Sequence, residues 1–401
     1  MSKKKILLIY HFLYPDDVVS AVHFTQLAIE LKKNDFEIET LSSNRSCRNI
    51  GQKYPKYEKK WNIIFNRFWR PDLNQASFFG RFFNSIYIQL SWLTFFLKKK
   101  FFSKKKISPD FIILGTDPVF LFLLILPLKL IFPKTKFILW SFDLYPEAYI
   151  AKKNLKKIFF LKPIIKLTKI AYKKYDKIVD IGLCMRKRLT NYGNNSFKTI
   201  IPWSIFEEKN IKKSFFNKKK ISILYSGNLG EAHDISNLIK FIQLLGSYKK
   251  FKFYFSINNQ KSIKLKKLFK SLKIDNAEFL NKTDNFIDRL KKFDIHLVTL
   301  KNNWDGIVVP SKFFSSLSLG KPVLYIGPAS SSIYQNILDY DLGWAVDINN
   351  LEDQYNAFID DFQNIEKIIK KSNNCSLVYN NFFSKEKCIK KWVSILKGKE
   401  Q

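Results

Sequence analysis

Acidic side chains are scarce in this chain of 401 residues: 34 Asp and Glu stand against 69 Lys and Arg, a net charge of +35. Such a field draws polyanions, whether nucleic acid, anionic lipid or phosphorylated substrates. Part of the excess is compositional, because the chain is crowded with Lys, Asn, Ile and Phe (39 Phe), residues that AT-rich codons favour. Cysteine is sparse too. Cys47, Cys184, Cys375 and Cys388 are scattered without a C-x-x-C pair, which excludes a zinc ribbon and fits a reducing compartment. Only four histidines occur, so a His-rich metal centre is excluded. No D-x-D stands at a strand end. Asp16-Asp17 and Asp360-Asp361 are adjacent pairs, the second in a helical stretch. No metal and no cofactor are therefore expected. Long apolar runs are missing as well. Val119–Phe132 is the most apolar segment, but it is interrupted by Pro127 and Lys129 and is shorter than the roughly 20 residues a bilayer crossing needs. Met1–Tyr14 opens like a signal peptide, yet its apolar run is short and no small-residue cleavage site follows, so a first buried strand is the better reading.

What is present is enough for two cores. Hydrophobic residues make up 46% of the chain, and its length suits two domains. Strand and helix patterns alternate in the first half. Ile6–Tyr10, Phe36–Leu41, Phe111–Leu114, Lys136–Trp140 and Lys177–Asp180 read as strands, with Ala21–Lys33 as a helix. The rhythm restarts with strands at Ile221–Ser226, Phe251–Ser256, Ile295–Leu300 and Val323–Ile326, and a helix from Asp234 to Leu245 capped by Asp234. Ser384–Leu396 reads as a terminal helix with Ser384 as its cap. This is the α/β pattern of two parallel, doubly wound sheets. The low-complexity stretch Glu207–Lys220 marks the boundary, giving domains over 1–205 and 206–380 and a terminal helix over 381–401.

In open α/β sheets ligands bind beyond the carboxyl ends of the strands. Five loops qualify: Asp16–Ser20, Gly115–Pro118, Ser141–Glu147, Gly227–Glu231 and Asp305–Lys312. The richest is WDGIVVPSKFFSSLSLGKPV, Trp304–Val323. An acidic residue and a glycine lead through Pro310 into Ser311 and Lys312 at a helix start, where unpaired N–H groups favour an anion. Lys312 adds a point charge and Ser311 a capping hydroxyl, while Asp305 is suited to hold hydroxyls of a group attached to a phosphate. The plain alternative is an ordinary βαβ connection.

Four segments in order, YPDDVVSAVHFTQLAIEL, DLYPEA, LYSGNLGEAHD and WDGIVVPSKFFSSLSLGKPV, resemble glycosyltransferase family 4, above all its bacterial members that build O-antigen and capsular polysaccharide. The resemblance runs over nearly the whole chain. It implies the GT-B fold: two Rossmann-like domains facing across a cleft, with the C-terminal helix crossing back to the first. It further implies a nucleotide-sugar donor on the second half, an acceptor on the first, and metal-independent transfer with retention at the anomeric carbon. By the same resemblance, Gly227, Asn228, Leu229, Gly230, His233, Asp305, Gly306, Ser311 and Lys312 hold the donor, and Asp16, Asp17 and Ser20 form the acceptor and phosphate loop. Asp143, Glu147 and Lys312 fall at the catalytic positions. Three departures stand out: Ser315 in place of the second acidic residue of the family's paired-glutamate motif, Glu231 where many members carry a basic residue, and Phe142 where relatives often carry His. His11, His23 and His296 read as structural.

Gln89–Phe102 is apolar and aromatic and ends in Lys98–Lys100, with Lys104–Lys106 directly after it; Arg67, Trp69, Arg70 and Arg81 lie upstream. Aromatics beside clustered lysines suit an interfacial membrane contact. The expectation is a cytoplasmic enzyme, peripheral to the inner face of the plasma membrane. Its donor would be a UDP-activated sugar of N-acetylhexosamine type and its acceptor a saccharide on a polyprenyl diphosphate. Nucleic acid is not expected as a partner, because no nucleic-acid module is present. The rival readings are a GT-B epimerase or phosphorylase-like enzyme, a catalytically weak paralogue, or a basic nucleic-acid- or membrane-binding protein.

Overall fold

The computed structural model describes residues 3–75, 77–102, 108–154, 161–193, 196–206, 220–257, 261–281, 285–347 and 349–399. Lys104–Lys106 and most of the Glu207–Lys220 stretch lie outside the described residues. The chain divides into two compact units: Met1–Ile201 with Ile389–Gln401, and Pro202–Cys388.

The first unit runs β1 (Lys5–Ile9), α1 (Val19–Lys33), β2 (Glu37–Ser43), β3 (Tyr57–Lys60), β4 (Ile63–Phe68), α2 (Phe78–Phe102) and β5 (Phe111–Leu114). After a 3-10 turn at Leu121–Leu124 come α3 (Ile125–Ile131), β6 (Lys136–Trp140), α4 (Glu147–Lys153), α5 (Lys162–Tyr172), β7 (Lys177–Asp180), α6 (Leu183–Leu189) and β8 (Phe197–Thr199). The strands form one sheet in the order β3-β4-β2-β1-β5-β6-β7-β8, parallel except for β3. β1 and β5 are apolar on both faces because helices cover both sides, as a parallel sheet requires. The chain works outward from β1 to β2 and β4, then crosses back to β5, so the topological switch point lies between β1 and β5.

The second unit has β9 (Ile221–Ser226), α7 (Ile235–Leu244), β10 (Phe251–Ser256), α8 (Lys261–Ser271), β11 (Ala277–Phe279), α9 (Phe286–Lys291) and β12 (Ile295–Thr299). It continues with α10 (Lys312–Ser318), β13 (Val323–Gly327), α11 (Ser332–Tyr340), β14 (Gly343–Asp347), α12 (Leu351–Asp361) and α13 (Ile365–Val378), then a π-helical turn at Tyr379–Phe383 and α14 (Lys385–Lys397). Its all-parallel sheet has the order β11-β10-β9-β12-β13-β14, which puts the switch point between β9 and β12. Asp234 caps α7 as the sequence suggests, its carboxylate accepting from the Asn237 N–H at 3.0 Å.

The chain passes back into the first unit within α14, after Cys388 rather than ahead of the helix. Trp392 is fully buried there and packs edge-on against Trp140 at the end of β6, with centroids 5.2 Å apart. Lys4 donates to the Leu396 carbonyl at 2.8 Å.

The β3–β4 hairpin was not anticipated. Its two-residue turn is Trp61-Asn62, both at positive φ (49° and 56°), without the glycine that normally announces such a turn. β11 and β14 were also missed; β11 is only three residues long and β14 opens on a glycine.

One glycine in the first unit fills a steric demand. Tyr10 stacks on Phe24 at 4.1 Å, nearly parallel, and a Cβ on Gly115 would lie 2.3 Å from the Tyr10 ring. The same Cβ would lie 2.8 Å from Phe24 Cζ, so it would meet the edges of both stacked rings at once. Gly115→Ala is therefore expected to lower the stability of this unit by about 1–3 kcal/mol. Calorimetric unfolding checks this, and an unchanged transition would contradict the packing described.

Candidate functional site

Both candidate sites lie at the switch points, one in each unit. In the second unit the loops leaving β9 and β12 are stitched together. The Lys301 N–H donates to the Ala232 carbonyl at 2.8 Å, and His233 Nδ1 meets the Thr299 carbonyl at 3.0 Å. A carbonyl can only accept, so Nδ1 carries the proton and Nε2 is left as an acceptor. Burial, with Lys312 adding to it, pushes His233 down to about 3, so it is neutral at physiological pH.

Lys312 completes the seam. It opens α10, and its ammonium donates to the Asn228 carbonyl at 3.3 Å. The same ammonium lies 3.8 Å from the centroid of the Tyr225 ring. The Tyr225 hydroxyl donates to the same Asn228 carbonyl at 3.1 Å. Burial pushes Lys312 down to about 7, although part of its side chain still reaches solvent. Gly227, at φ +107°, makes room for it: a Cβ there would sit 3.1 Å from Lys312 Cε. The ammonium has three donors and spends one on Asn228. The arrangement is a partly desolvated cation above a glycine turn, built to take an anion.

The other residues named for this site fall around the same seam. Leu229 is buried and anchors the turn, while a Cβ on Gly230 would meet His233 at an ordinary 3.8 Å. Asp305 accepts from the Ser330 hydroxyl at 2.7 Å, and Gly306 follows in the left-handed region at φ +68°. Ser311 corrects an expectation. It has helical backbone angles (φ −63°, ψ −20°) and its side chain makes no capping bond, because a capping hydroxyl needs an extended residue at that position. Glu231, the acidic residue after the turn, is bridged by Lys261 at 2.9 Å, which offsets its charge beside the anion seat.

In the first unit the loops leaving β1 and β5 meet through His11 and Asp117. The His11 backbone N–H donates to the Asp117 carbonyl at 3.0 Å, and His11 Nδ1 lies 3.1 Å from Asp117 Oδ2. His11 is fully buried; burial lowers its pKa and Asp117 opposes the shift. Its Nε2 has no hydrogen-bond partner among the described residues. Asp143, in the loop after β6, belongs to this cluster. Burial pushes its carboxyl up to about 6, with the charge on Asp117 adding and Arg81 opposing. The Asp143 and Phe142 N–H groups both donate to the Thr116 hydroxyl, at 3.2 and 3.3 Å, which ties the loops after β5 and β6.

The other residues named for this unit have the following partners, and Asp16 lies near enough to His11 for its charge to act on the imidazole. Glu147 opens α4 and accepts from the Tyr192 hydroxyl. Asp16 Oδ1 accepts from the Cys47 N–H, the Ser46 hydroxyl and the Tyr54 hydroxyl, so it pins the loop after β2. Asp17 pairs with Arg48 at the surface, and Ser20 bonds the Tyr10 hydroxyl. Sequence reasoning placed the Gly115–Pro118 loop at the strand ends and Arg81 in a basic cluster, but did not single out Asp117, link Arg81 to Asp143, or give His11 a site-facing place. The available signal was the Gly-Thr-Asp-Pro run directly after β5. Among the described residues, no three His, Cys, Asp or Glu side chains cluster so as to hold a metal.

No family model matches the chain. Over 250 residues it is 26% identical to the probable glycosyltransferase WbjE of Pseudomonas aeruginosa, an alignment spanning 59% of this chain and 62% of that protein. Among solved structures it is similar to sucrose-phosphate synthase from Thermosynechococcus elongatus, with TM-score 0.73, 11% identity and 99% of each chain covered. It is also similar to Anabaena HepE in complex with UDP-glucose, with TM-score 0.64, 10% identity, and 98% of this chain and 99% of that one covered. The two Rossmann-like parallel sheets are those of the GT-B fold.

The seat makes a prediction of its own. Lys312 should titrate with a midpoint near pH 7, charged below it and neutral above. Carbon-13 NMR of labelled lysines, with Lys312→Arg to assign the signal, reads this directly. A midpoint in the ordinary lysine range would contradict the desolvated seat.

Proposed function

We propose that this chain is a glycosyltransferase that moves a sugar from a nucleotide-sugar donor to a lipid-linked saccharide in surface polysaccharide synthesis, of O-antigen, capsule or lipopolysaccharide type. The observation that carries the reading is the Lys312 ammonium, held against the Asn228 carbonyl and over Tyr225 beside Gly227, at the switch point of the second sheet. In glycosyl transfer the bond between the anomeric carbon and the diphosphate breaks, and negative charge grows on the leaving phosphate. A cation already positioned and partly stripped of water stabilises that charge more than one in bulk solvent does. Phosphate binding would draw Lys312 back to its charged form.

Asp305 and His233, on the loops flanking the seat, are the groups we assign to the sugar and ribose hydroxyls. In the first unit, Asp143, Asp117 and His11 are the groups we assign to the acceptor. Transfer is proposed to occur with retention, the leaving phosphate itself taking the proton of the acceptor hydroxyl. A UDP-activated N-acetylhexosamine is the donor we favour; the UDP-glucose complex of Anabaena HepE supports a UDP sugar in this fold. The membrane side of the reading is supported by Lys98–Lys100 at the end of α2. Among the described residues no helix is long and apolar enough to cross a membrane, so contact with a lipid-borne acceptor would be made from the surface.

Turnover tests the reading. Lys312→Ala should lower donor turnover about 100-fold, the scale of one lost preorganised contact to a developing anion, and wild-type turnover should survive excess EDTA. Full activity in the folded variant would remove Lys312 from the site. Loss of activity to EDTA, restored by a divalent cation, would overturn the metal-independent mechanism.

A further inference from the structure

We propose that the outer face of α2, continued by exposed residues of α3 and α5, inserts into the headgroup–acyl boundary of an anionic bilayer with the α2 axis in the membrane plane. The inference rests on the membrane-borne acceptor proposed above and goes beyond it by naming the surface and its hydrophobic mode of binding.

α2 is 25 residues long, about 37 Å at the rise of an α-helix. Its inner side is an ordinary core stripe: Ile88, Trp92 and Phe96 are fully buried. A surface helix should turn a polar face outward. This one instead exposes Phe83, Ile86, Leu90, Leu97 and Phe101, spaced by helical turns along its length, with Phe101 68% exposed. Tyr87 and Trp69 flank the stripe, also exposed, with ring centroids 6.0 Å apart.

The neighbouring helices carry the face further. α2 packs against α3 and against the Leu121–Leu124 turn, and that turn packs against α5. Leu130 on α3 is 78% exposed, and Leu167 and Ile170 of α5 are exposed as well. Right-handed crossovers lead α2, α3 and α5 to the same side of the sheet, so these side chains share one layer.

Charge selects the occupant. α2, α3 and α5 together contain no Asp or Glu. Lys98, Lys99 and Lys100 stand at the end of α2, and Lys166 and Lys169 lie on α5. Lys100 also donates to the Leu130 carbonyl at 3.2 Å, which ties α2 to α3. A second copy of this strongly basic chain would set these lysines against their equivalents. An anionic bilayer meets the same lysines with attraction and takes up the aromatic stripe, the pattern of helices that lie in an interface.

Co-sedimentation with phosphatidylcholine vesicles, with and without phosphatidylglycerol, tests the proposal. The full chain should bind the anionic vesicles, and a substantial fraction should stay bound at roughly 1 M salt, where the screening length is only about 3 Å. Combined Phe83→Ser, Leu90→Ser and Phe101→Ser should remove that salt-resistant fraction at least tenfold while leaving the thermal transition and donor turnover unchanged. Combined Lys98→Ser, Lys99→Ser and Lys100→Ser should weaken only the salt-sensitive part. Complete release of wild-type protein by salt would overturn insertion. Failure to bind vesicles, with a dimer in light scattering that the triple Ser variant disperses, would also overturn it, by assigning the face to self-association. Donor turnover is read separately, so the assigned activity and the membrane face fail independently.

Discussion

The Asn228 carbonyl is the pivot of the second unit's site. It accepts the Tyr225 hydroxyl from the strand below and the Lys312 ammonium from the helix opposite. A lysine cation held over an aromatic ring and against a single carbonyl is only partly compensated for its lost water, which is why burial lowers it to about 7. Everything near it serves that placement. Gly227 vacates the space a Cβ would fill, His233 locks the loop to Thr299 while staying neutral, and Lys261 answers the charge of Glu231. In the proposed function, an incoming phosphate would supply the charge that the site withholds.

The first unit presents the opposite electrostatic problem. Asp143 sits buried beside the charge of Asp117, and burial together with that charge pushes its carboxyl up to about 6. His11 faces Asp117 across the switch point and Arg81 tempers Asp143. Perturbed groups gathered at a strand-end crevice mark functional ground more often than structural ion pairs do, which are arranged to cancel. Arg186 with Asp180 and Lys371 with Asp341 and Asp361 are of that cancelling kind.

Much of this was legible in the sequence, for physical reasons. Strands buried on both faces announce themselves as continuous apolar runs, so β1, β5, β6, β9, β12 and β13 were found. Lys312 was legible because a strand, a turn and a helix start bracket it. What failed was anything set by pairing across long sequence separation. The His11–Asp117 contact spans 106 positions and depends on which strands become neighbours. The partners of Asp16 and Glu147, Cys47 and Tyr192, lie 31 and 45 positions away and could not be foreseen from local pattern. The Ser311 cap failed on a backbone angle. The β3–β4 hairpin failed because its turn lacks glycine. The segment Gln89–Phe102 was legible as a surface contact from its aromatics and lysines, but which of its side chains face outward appears only once the packing shows which side has a neighbour.

The central claim is that the seam between the β9 and β12 loops seats the diphosphate of a nucleotide sugar. Hydrogen–deuterium exchange with and without UDP measures it most directly. The account predicts slower exchange in the peptides covering Gly227–His233 and Asp305–Lys312, lost in Lys312→Ala, with the loops that carry His11 and Asp117 unchanged. Protection confined to the first unit, or no protection at saturating UDP, would contradict it.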